Sequence, residues 1–346
     1  MDKSIFIIAE IGCNHNGSFE LAKTLVEKAA ETGVNAVKFQ TFKANQLISK
    51  YAPKAEYQKE TTGEDDSQLE MTAKLEMSVD DYLLLKEYAE SLGLIVFSTA
   101  FDMDSIDELE NIGQNIWKVP SGEITNLPYL ERISKISVDN KKIILSTGMA
   151  TIEEIEKAVD ILNPGSNEIT ILHCNTEYPT PDTDVNITAI NELKAVFPNH
   201  QVGFSDHSVG ATAAIMSVAL GASVIEKHFT LHKDLPGPDH HASATPDELA
   251  ELVAHVRRAE VMYGVGNKIV TPSENKNKIV ARKSIIAKSA IKKGDVFTEE
   301  NITTKRPGNG ISPMYWHQIL GLKSENDFEE DQVIIDSRFE WEIPNE

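Results

Sequence analysis

Eight short β-prone runs, each followed by a stretch with helical spacing, restrict the fold of this chain more than any other feature. In order they are IFIIAEIG, AVKFQTF, IVFSTAF, WKVPSG, KIILSTG, ITILHCN, VGFSDHS and SVIEKHF. Between them apolar residues recur at helical intervals, as at Leu21, Leu25 and Ala29, and again at Ile152, Ile155, Val159 and Leu162. Strands alternating with helices build a parallel sheet, either open and doubly wound or closed as a (β/α)8 barrel. Polar residues separate the two. Glu10, Gln40, Thr99, Ser121, Ser146, Asn175, His207 and His228 stand at or near the carboxyl ends of the runs, where barrel enzymes place their chemistry. An open sheet gathers such groups near one crevice. The expected fold is α/β, a TIM barrel over residues 1–265.

Beyond Tyr263, the segment from Gly264 to Lys278 is rich in Gly, Asn, Ser, Pro and Lys and shows no sustained helical or strand period. It reads as a linker, set at 266–283. Short β-prone pieces broken by Gly, Asp, Asn and Pro then suggest a compact small domain over 284–346.

A formal net charge of −21 over 346 residues excludes nucleic acid and anionic membrane surfaces as expected partners, because these need a basic face. The apolar stretch Ile5 to Ile11 is interrupted by Glu10 and followed by Asn14, His15 and Asn16, so it reads as a first strand rather than a leader or a span. Cys13 and Cys174 lie at or just after strands, which points to reduced thiols and a cytoplasmic protein.

Several motifs carry candidate chemistry. His207 in SDHS and His228 in EKHF would meet at one rim if their strands are neighbours, and two neutral imidazoles can hold one divalent metal with positions left open. Taken singly, each histidine also suits a structural role. Lys38, Lys118 and Lys227 fall inside strands, where a buried ammonium needs an anion. That anion is either a substrate phosphate and carboxylate or a nearby Glu10, Glu123 or Glu226. Ser121, Gly122, Ser146, Thr147 and Gly148 add hydroxyls and loop amides of the kind that cradle phosphate. Tyr178 precedes Pro179 at a strand end, and Asp239 sits in LPGPDHHAS, read as a lid or a solvated loop. Arg306, in KRPGNG of the small domain, stands before a Pro-Gly turn that presents a guanidinium at a loop tip or simply on the surface.

The ordered set AEIGCNHNGS, VKFQT, PSGEITNLPYL, ILSTGMA, LHCNTEYPTP, GFSDHS, EKHFT, GPDHHAS and KRPGNG resembles the sialic acid synthase family over essentially the whole chain. The resemblance implies a barrel followed by an antifreeze-like (SAF) domain, in a homodimer whose small domain covers the partner's active site. It implies condensation of phosphoenolpyruvate with an open-chain amino-sugar aldehyde. A manganese or magnesium ion would sit on His207 and His228. Phosphoenolpyruvate would be held by Lys38, Thr99, Lys118, Ser121, Ser146 and Ser205, with Gln40 and Tyr178 on the sugar side. Glu10 and Glu123 would be the catalytic carboxylates, Asp239 a sugar-hydroxyl acceptor, and Arg306 a ligand of the sugar's N-acyl group. Neuraminate synthases commonly read SGECNNYPL and CTNIYPTP where this chain has SGEITNLPYL and CNTEYPTP, with changes around Thr125, Thr176 and Glu177. The segment near Glu64 does not match the family's sugar-binding asparagine. These variants, with AEYQK and SQLEMTAKLEM, resemble the branch that makes N,N'-diacetyllegionaminate from 2,4-diacetamido-2,4,6-trideoxymannose, ahead of the branch using N-acetylmannosamine. A related sugar-acid phosphate synthase would not require the KRPGNG domain, and a carbohydrate-binding protein would not require paired histidines and buried lysines.

Overall fold

A computed structural model describes residues 4–63, 66–163 and 168–339, which form two compact units, 1–265 and 266–346. The first unit holds eight parallel strands: β1 Phe6–Gly12, β2 Ala36–Thr41, β3 Ile95–Ala100, β4 Ile116–Val119, β5 Lys142–Ser146, β6 Glu168–Cys174, β7 Gln201–Asp206 and β8 Val224–His228. Their ladder order is β3-β2-β1-β8-β7-β6-β5-β4, so the sheet curls into a nearly closed barrel with β3 and β4 facing each other across a seam. The expected TIM architecture is present.

Each strand is buried on both sides, and its period of two sorts residues between them. Outward residues such as Ile7, Ala9, Val37, Phe39, Ile143 and Leu145 pack on the surrounding helices. Inward, Ile8, Ala36, Phe97, Ile144, Leu172 and Val224 form an apolar plug. The next inward residues toward the carboxyl ends include Glu10, Lys38, Thr99, Lys118, Ser146, Ser205 and Glu226. The plug therefore makes a dry floor beneath a polar chamber.

The helices match their sequence signals. Ser18 caps Phe19–Thr32, which buries Ala22, Leu25, Val26 and Ala29 and stops at Gly33 in a left-handed conformation. Thr151 and Glu154 form a capping box on Ile152–Leu162, whose buried face is Ile155, Ala158, Val159 and Leu162. Among the described residues no helix is long and apolar enough to cross a membrane.

The seam is closed by a side chain. Ser98 of β3 donates its N–H to Gln114 Oε1 at 2.8 Å, and Gln114 Nε2 donates to the Ser98 carbonyl at 2.9 Å. The carboxamide thus imitates the missing strand partner for two buried backbone groups.

The second unit has its own core of Ile285, Ile291, Phe297, Ile302, Ile311, Ile319, Phe328 and Ile334 around an antiparallel pair, β9 Ser284–Ala287 and β10 Ile302–Lys305. The segment read as a linker without a sustained helical or strand period contains the helix Pro272–Ala281. It buries none of its residues, so no apolar period marks it. Its signal is the capping box of Thr271 and Glu274 with Pro272 at the first helical position.

Replacing Gln114 by Ala leaves the Ser98 N–H and C=O buried without partners. We expect a loss of about 2 kcal/mol or more in chemical denaturation, with an unchanged m-value. A loss below about 0.5 kcal/mol would show that the seam does not depend on this side chain.

Candidate active site

The ladder register assembles the chamber. It sets Glu10 opposite both Lys38 and His228, and Ser205 opposite Glu226. Lys38 Nζ lies 2.6 Å from Glu10 Oε2 and 3.7 Å from Glu226 Oε2, while Lys118 Nζ lies 2.6 Å from Glu226 Oε1. Ser205 Oγ donates to Glu226 Oε1 at 3.1 Å, Lys38 to Thr99 Oγ1 at 3.2 Å, and Gln40 Nε2 to Glu10 Oε1 at 3.0 Å. Gly12 leaves room for this last bond. A Cβ there would lie 2.9 Å from Glu10 Oε1, and its φ of +55° suits glycine.

The two carboxylates are driven apart in acidity. Burial pushes Glu10 up to about 7 against the pull of Lys38, with Glu226 adding to the rise. Burial also acts to raise Glu226, but Lys118 and Lys38 outweigh it and hold that carboxyl well below the usual range. Glu226 is thus a permanent counter-ion, and Glu10 changes charge near neutrality.

Above this layer lies an aromatic and imidazole rim. The His207 and His228 rings meet edge to face with centroids 5.2 Å apart, and the Tyr178 ring lies 4.1 Å from His207 and 5.5 Å from His228. His207 Nδ1 donates to the Asn175 carbonyl, so the neutral ring carries its lone pair on Nε2; burial favours that neutral form, while Cys174 and the same carbonyl outweigh it and raise the imidazole. Burial, reinforced by His207, keeps His228 neutral by lowering its pKa well below the usual imidazole value. Its Nδ1 is buried without a hydrogen-bond partner and lies 3.8 Å from Asp239 Oδ2. Asp239 also accepts from Cys13 Sγ at 3.5 Å and is buried, so its loop is not the solvated one of the two alternatives. Among the described residues no three His, Cys, Asp or Glu side chains converge as a metal cage.

On the opposite wall Ser121 Oγ accepts from the Gly148 N–H at 3.0 Å. A Cβ on Gly148 would fall 2.6 Å from Thr176 and 2.9 Å from Ser121 Oγ. Ser146 Oγ is buried with no partner. Glu123 is half-buried, its carboxyl raised by burial, and accepts from Asn126.

Glu10, Lys38, Gln40, Thr99, Lys118, Ser121, Glu123, Ser146, Tyr178, Ser205, His207, His228 and Asp239 all line one cavity of about 610 Å³. Arg306 belongs to the second unit, where it is exposed and donates from Nε to the Ala281 carbonyl at 3.0 Å. Glu64 lies outside the described residues. Lys227 takes the carboxylate alternative. It follows the inward Glu226, so alternation turns it outward to Asp206 at 3.0 Å and the Ser208 carbonyl. Glu226 is the converse, taken from sequence only as a counter-ion although its two-residue spacing from His228 marks it as inward. A further wall went unseen: Phe42, Leu47, Met71, Leu75 and Phe101, with Gln58 and Gln68, line the same cavity. Most of it comes from the loop after β2, which has no strand register to betray it.

Lysines and carboxylates in the floor and imidazoles at the rim place this chain among barrel enzymes with a polar chamber at the carboxyl ends of the strands, and comparison with known proteins supplies the family. Residues 25–268 match the NeuB family and residues 282–340 the SAF domain. The chain is 49% identical to N,N'-diacetyllegionaminic acid synthase of Campylobacter jejuni over 96% of this chain and 99% of that protein. It is 44% identical to N,N'-diacetyllegionaminic acid synthase of Legionella pneumophila over 92% of this chain and 90% of the relative. The crystal structure of N-acetylneuraminic acid (sialic acid) synthetase from Leptospira borgpetersenii, in complex with citrate, is similar with a TM-score of 0.70 and 34% identity, over 80% of this chain and 90% of that one. The chain belongs to the NeuB family of sialic acid synthases. It is a phosphoenolpyruvate-dependent synthase of sialic-type acids.

The Glu10 carboxyl is expected to titrate with a midpoint near 7, measurable by carbon NMR of labelled glutamate. Because Lys38 lowers and Glu226 raises that value, Lys38→Met should shift the midpoint up and Glu226→Gln should shift it down. A midpoint in the ordinary carboxylate range would show that water screens this floor.

Proposed function

We propose that the enzyme condenses phosphoenolpyruvate with open-chain 2,4-diacetamido-2,4,6-trideoxymannose and water to give N,N'-diacetyllegionaminate and inorganic phosphate. The observation that carries the reaction is the pair of buried lysines in the barrel floor beneath two imidazoles aimed into one chamber. The similarity to two diacetyllegionaminic acid synthases carries the choice of sugar. N-acetylneuraminate formation from N-acetylmannosamine is the second reading, favoured by the Leptospira structure.

Lys38 and Lys118 supply the positive charge for the phosphate and carboxylate, and Thr99, Ser121, Ser146 and Ser205 supply hydroxyls around it. The unpartnered Ser146 Oγ suits such a ligand, since a buried hydroxyl without a bond is costly. Gln40, Tyr178 and Asp239 stand on the sugar side. His207 and His228 fit a manganese or magnesium ion, because the Asn175 carbonyl fixes the His207 proton on Nδ1 and leaves Nε2 for a ligand, and His228 is held neutral with an unsatisfied ring nitrogen. Such an ion would polarise the sugar aldehyde.

The methylene carbon of phosphoenolpyruvate bonds to the aldehyde carbon, whose oxygen takes a proton as the carbonyl π bond is spent. Water adds to the cationic carbon left behind, oriented by Glu10 or Glu123 as general base. Breaking that carbon's bond to the bridging oxygen expels phosphate and leaves the keto group. The lysines neutralise the departing anion. The protein is proposed to act as a homodimer in the cytoplasm, where phosphoenolpyruvate is made, with Arg306 of each subunit serving the N-acyl group in the partner's chamber.

Phosphate release on mixing phosphoenolpyruvate, divalent metal and each sugar tests this reading. The diacetamido sugar should have the higher kcat/KM, and chelation should abolish release. A preference for N-acetylmannosamine by about tenfold, roughly 1.4 kcal/mol in transition-state binding, would assign the second reading. Arg306→Ala is expected to raise the sugar KM by about tenfold or more with the phosphoenolpyruvate KM unmoved. An unchanged sugar KM would remove Arg306 from the site.

A further inference from the structure

The loops that follow β1 and β8 are clasped to each other behind Asp239, through Asn14 and Ser243, and all three residues are buried. Asp239 stands just before the short turn His240–Ala242, where an aspartate ordinarily bends its carboxylate back onto the N–H groups of its own turn. Here the carboxylate makes no such bond and lines the chamber instead. Its main chain is held from outside. Ser243 Oγ donates to the Asp239 carbonyl at 2.7 Å, and Asn14 Nδ2 donates to Ser243 Oγ at 2.8 Å and to the Phe229 carbonyl at 2.9 Å. The directions are forced. A carbonyl only accepts, so the Ser243 proton is committed to Asp239 and its oxygen has to accept from Asn14, which fixes which end of the Asn14 amide is nitrogen. Asn14 Oδ1 is buried without a partner, so these two donations alone orient the amide. Beside them the His240 ring bridges Thr230 Oγ1 at 2.7 Å and Asn16 Oδ1 at 3.3 Å, and Cys13 Sγ reaches Asp239 Oδ2 at 3.5 Å.

A carboxylate that leaves its own turn to face a cavity takes its aim from whatever fixes the main chain behind it. Removing the Ser243 hydroxyl would strand an Asn14 N–H and the Asp239 carbonyl together, both of them buried, so the clasp is costly to open. Neither Asn14 nor Ser243 lines the chamber, and an effect of either on a bound sugar therefore has to pass through the loop they hold. We propose that Asn14 and Ser243 are positioning residues for the Asp239 carboxylate, carrying the rigidity of the end of β1 to the sugar side of the chamber. The inference rests on the synthase reading above, in which Asp239 faces the sugar, and adds to it two residues that touch no substrate.

The test uses the purified full-length enzyme with its Ser243→Ala, Asn14→Ala and Asp239→Asn variants, each checked for folding by thermal melting. Ser243→Ala should raise the KM for 2,4-diacetamido-2,4,6-trideoxymannose about tenfold and leave the phosphoenolpyruvate KM within about twofold, and Asn14→Ala should do the same. Ser243→Thr, which keeps the hydroxyl, should hold the sugar KM within about threefold of wild type. The double variant decides whether the effect passes through Asp239. If it does, adding Ser243→Ala to Asp239→Asn should change the sugar KM by less than about twofold. A full tenfold effect in that background, or an unchanged sugar KM in both Ser243→Ala and Asn14→Ala, would overturn the assignment. A second readout needs no substrate. Alkylation of Cys13, buried beside Asp239, is followed by mass spectrometry with Cys174 as internal reference, and should speed up about tenfold in Ser243→Ala as the loop opens. An unchanged rate would count against the clasp. Absence of phosphate release by the wild-type enzyme with either sugar would sink the synthase reading itself, and the Cys13 labelling rate would still decide whether the clasp holds the loop.

Discussion

Four ionisable side chains, Glu10, Lys38, Lys118 and Glu226, are buried in the floor of the barrel, and their pairing governs what surrounds them. Removing one partner from such a group strands an unpaired charge, a change that costs about 3–5 kcal/mol in buried pairs. The strands that carry the four are therefore held in one register. A slip of one residue on β8 would exchange Glu226 for Lys227, placing three lysines and one carboxylate inside and turning Glu226 into the apolar helix layer. The apolar plug below sharpens the requirement, because it denies the charges any solvent from that side.

The same register explains what sequence alone could and could not reveal. The barrel is legible because every run ends in polar residues at its carboxyl end, among them Glu10, Gln40, Thr99, Ser146 and His228, which the structure places around one cavity. Which alternative Lys227 takes is hidden in a motif such as EKHF read as consecutive letters, whereas a strand sends consecutive side chains to opposite faces. Gln114 left no signal, since a carboxamide that replaces a strand looks like any loop glutamine until the seam is seen. The helix Pro272–Ala281 escaped for a related reason: a helix that buries nothing declares itself only by its cap. The wall after β2 escaped because short loop helices place their apolar residues by tertiary context rather than by period.

Rigidity is distributed to match. Glu10, Lys38 and Glu226 sit on strands tied into ladders on both sides, Lys118 on the seam strand β4 laddered to β5, and the rim imidazole of His207 is aimed by a backbone carbonyl rather than by another mobile side chain. Asn14 adds a tie between the loops, donating to the Phe229 carbonyl at 2.9 Å and to Ser243 Oγ at 2.8 Å. The loop carrying Asp239 is thereby fastened to the end of β1, next to Glu10. Groups on rigid elements keep their positions as charge shifts, which is where preorganised sites gain over water.

The charge balance of the floor bears on how an anion enters a protein with a net charge of −21. Lys118 and Lys38 keep Glu226 ionised, while burial raises the Glu10 carboxyl, so protonation of Glu10 makes the floor more positive. An anion drawn to Lys38 and Lys118 adds negative charge beside Glu10 and weakens that carboxyl's hold on Lys38, and both effects favour its protonated form. Binding an anion and binding a proton at Glu10 are then linked, each strengthening the other. Lys38 is the hinge of this exchange, because it is the only group among the four within ion-pair distance of both carboxylates.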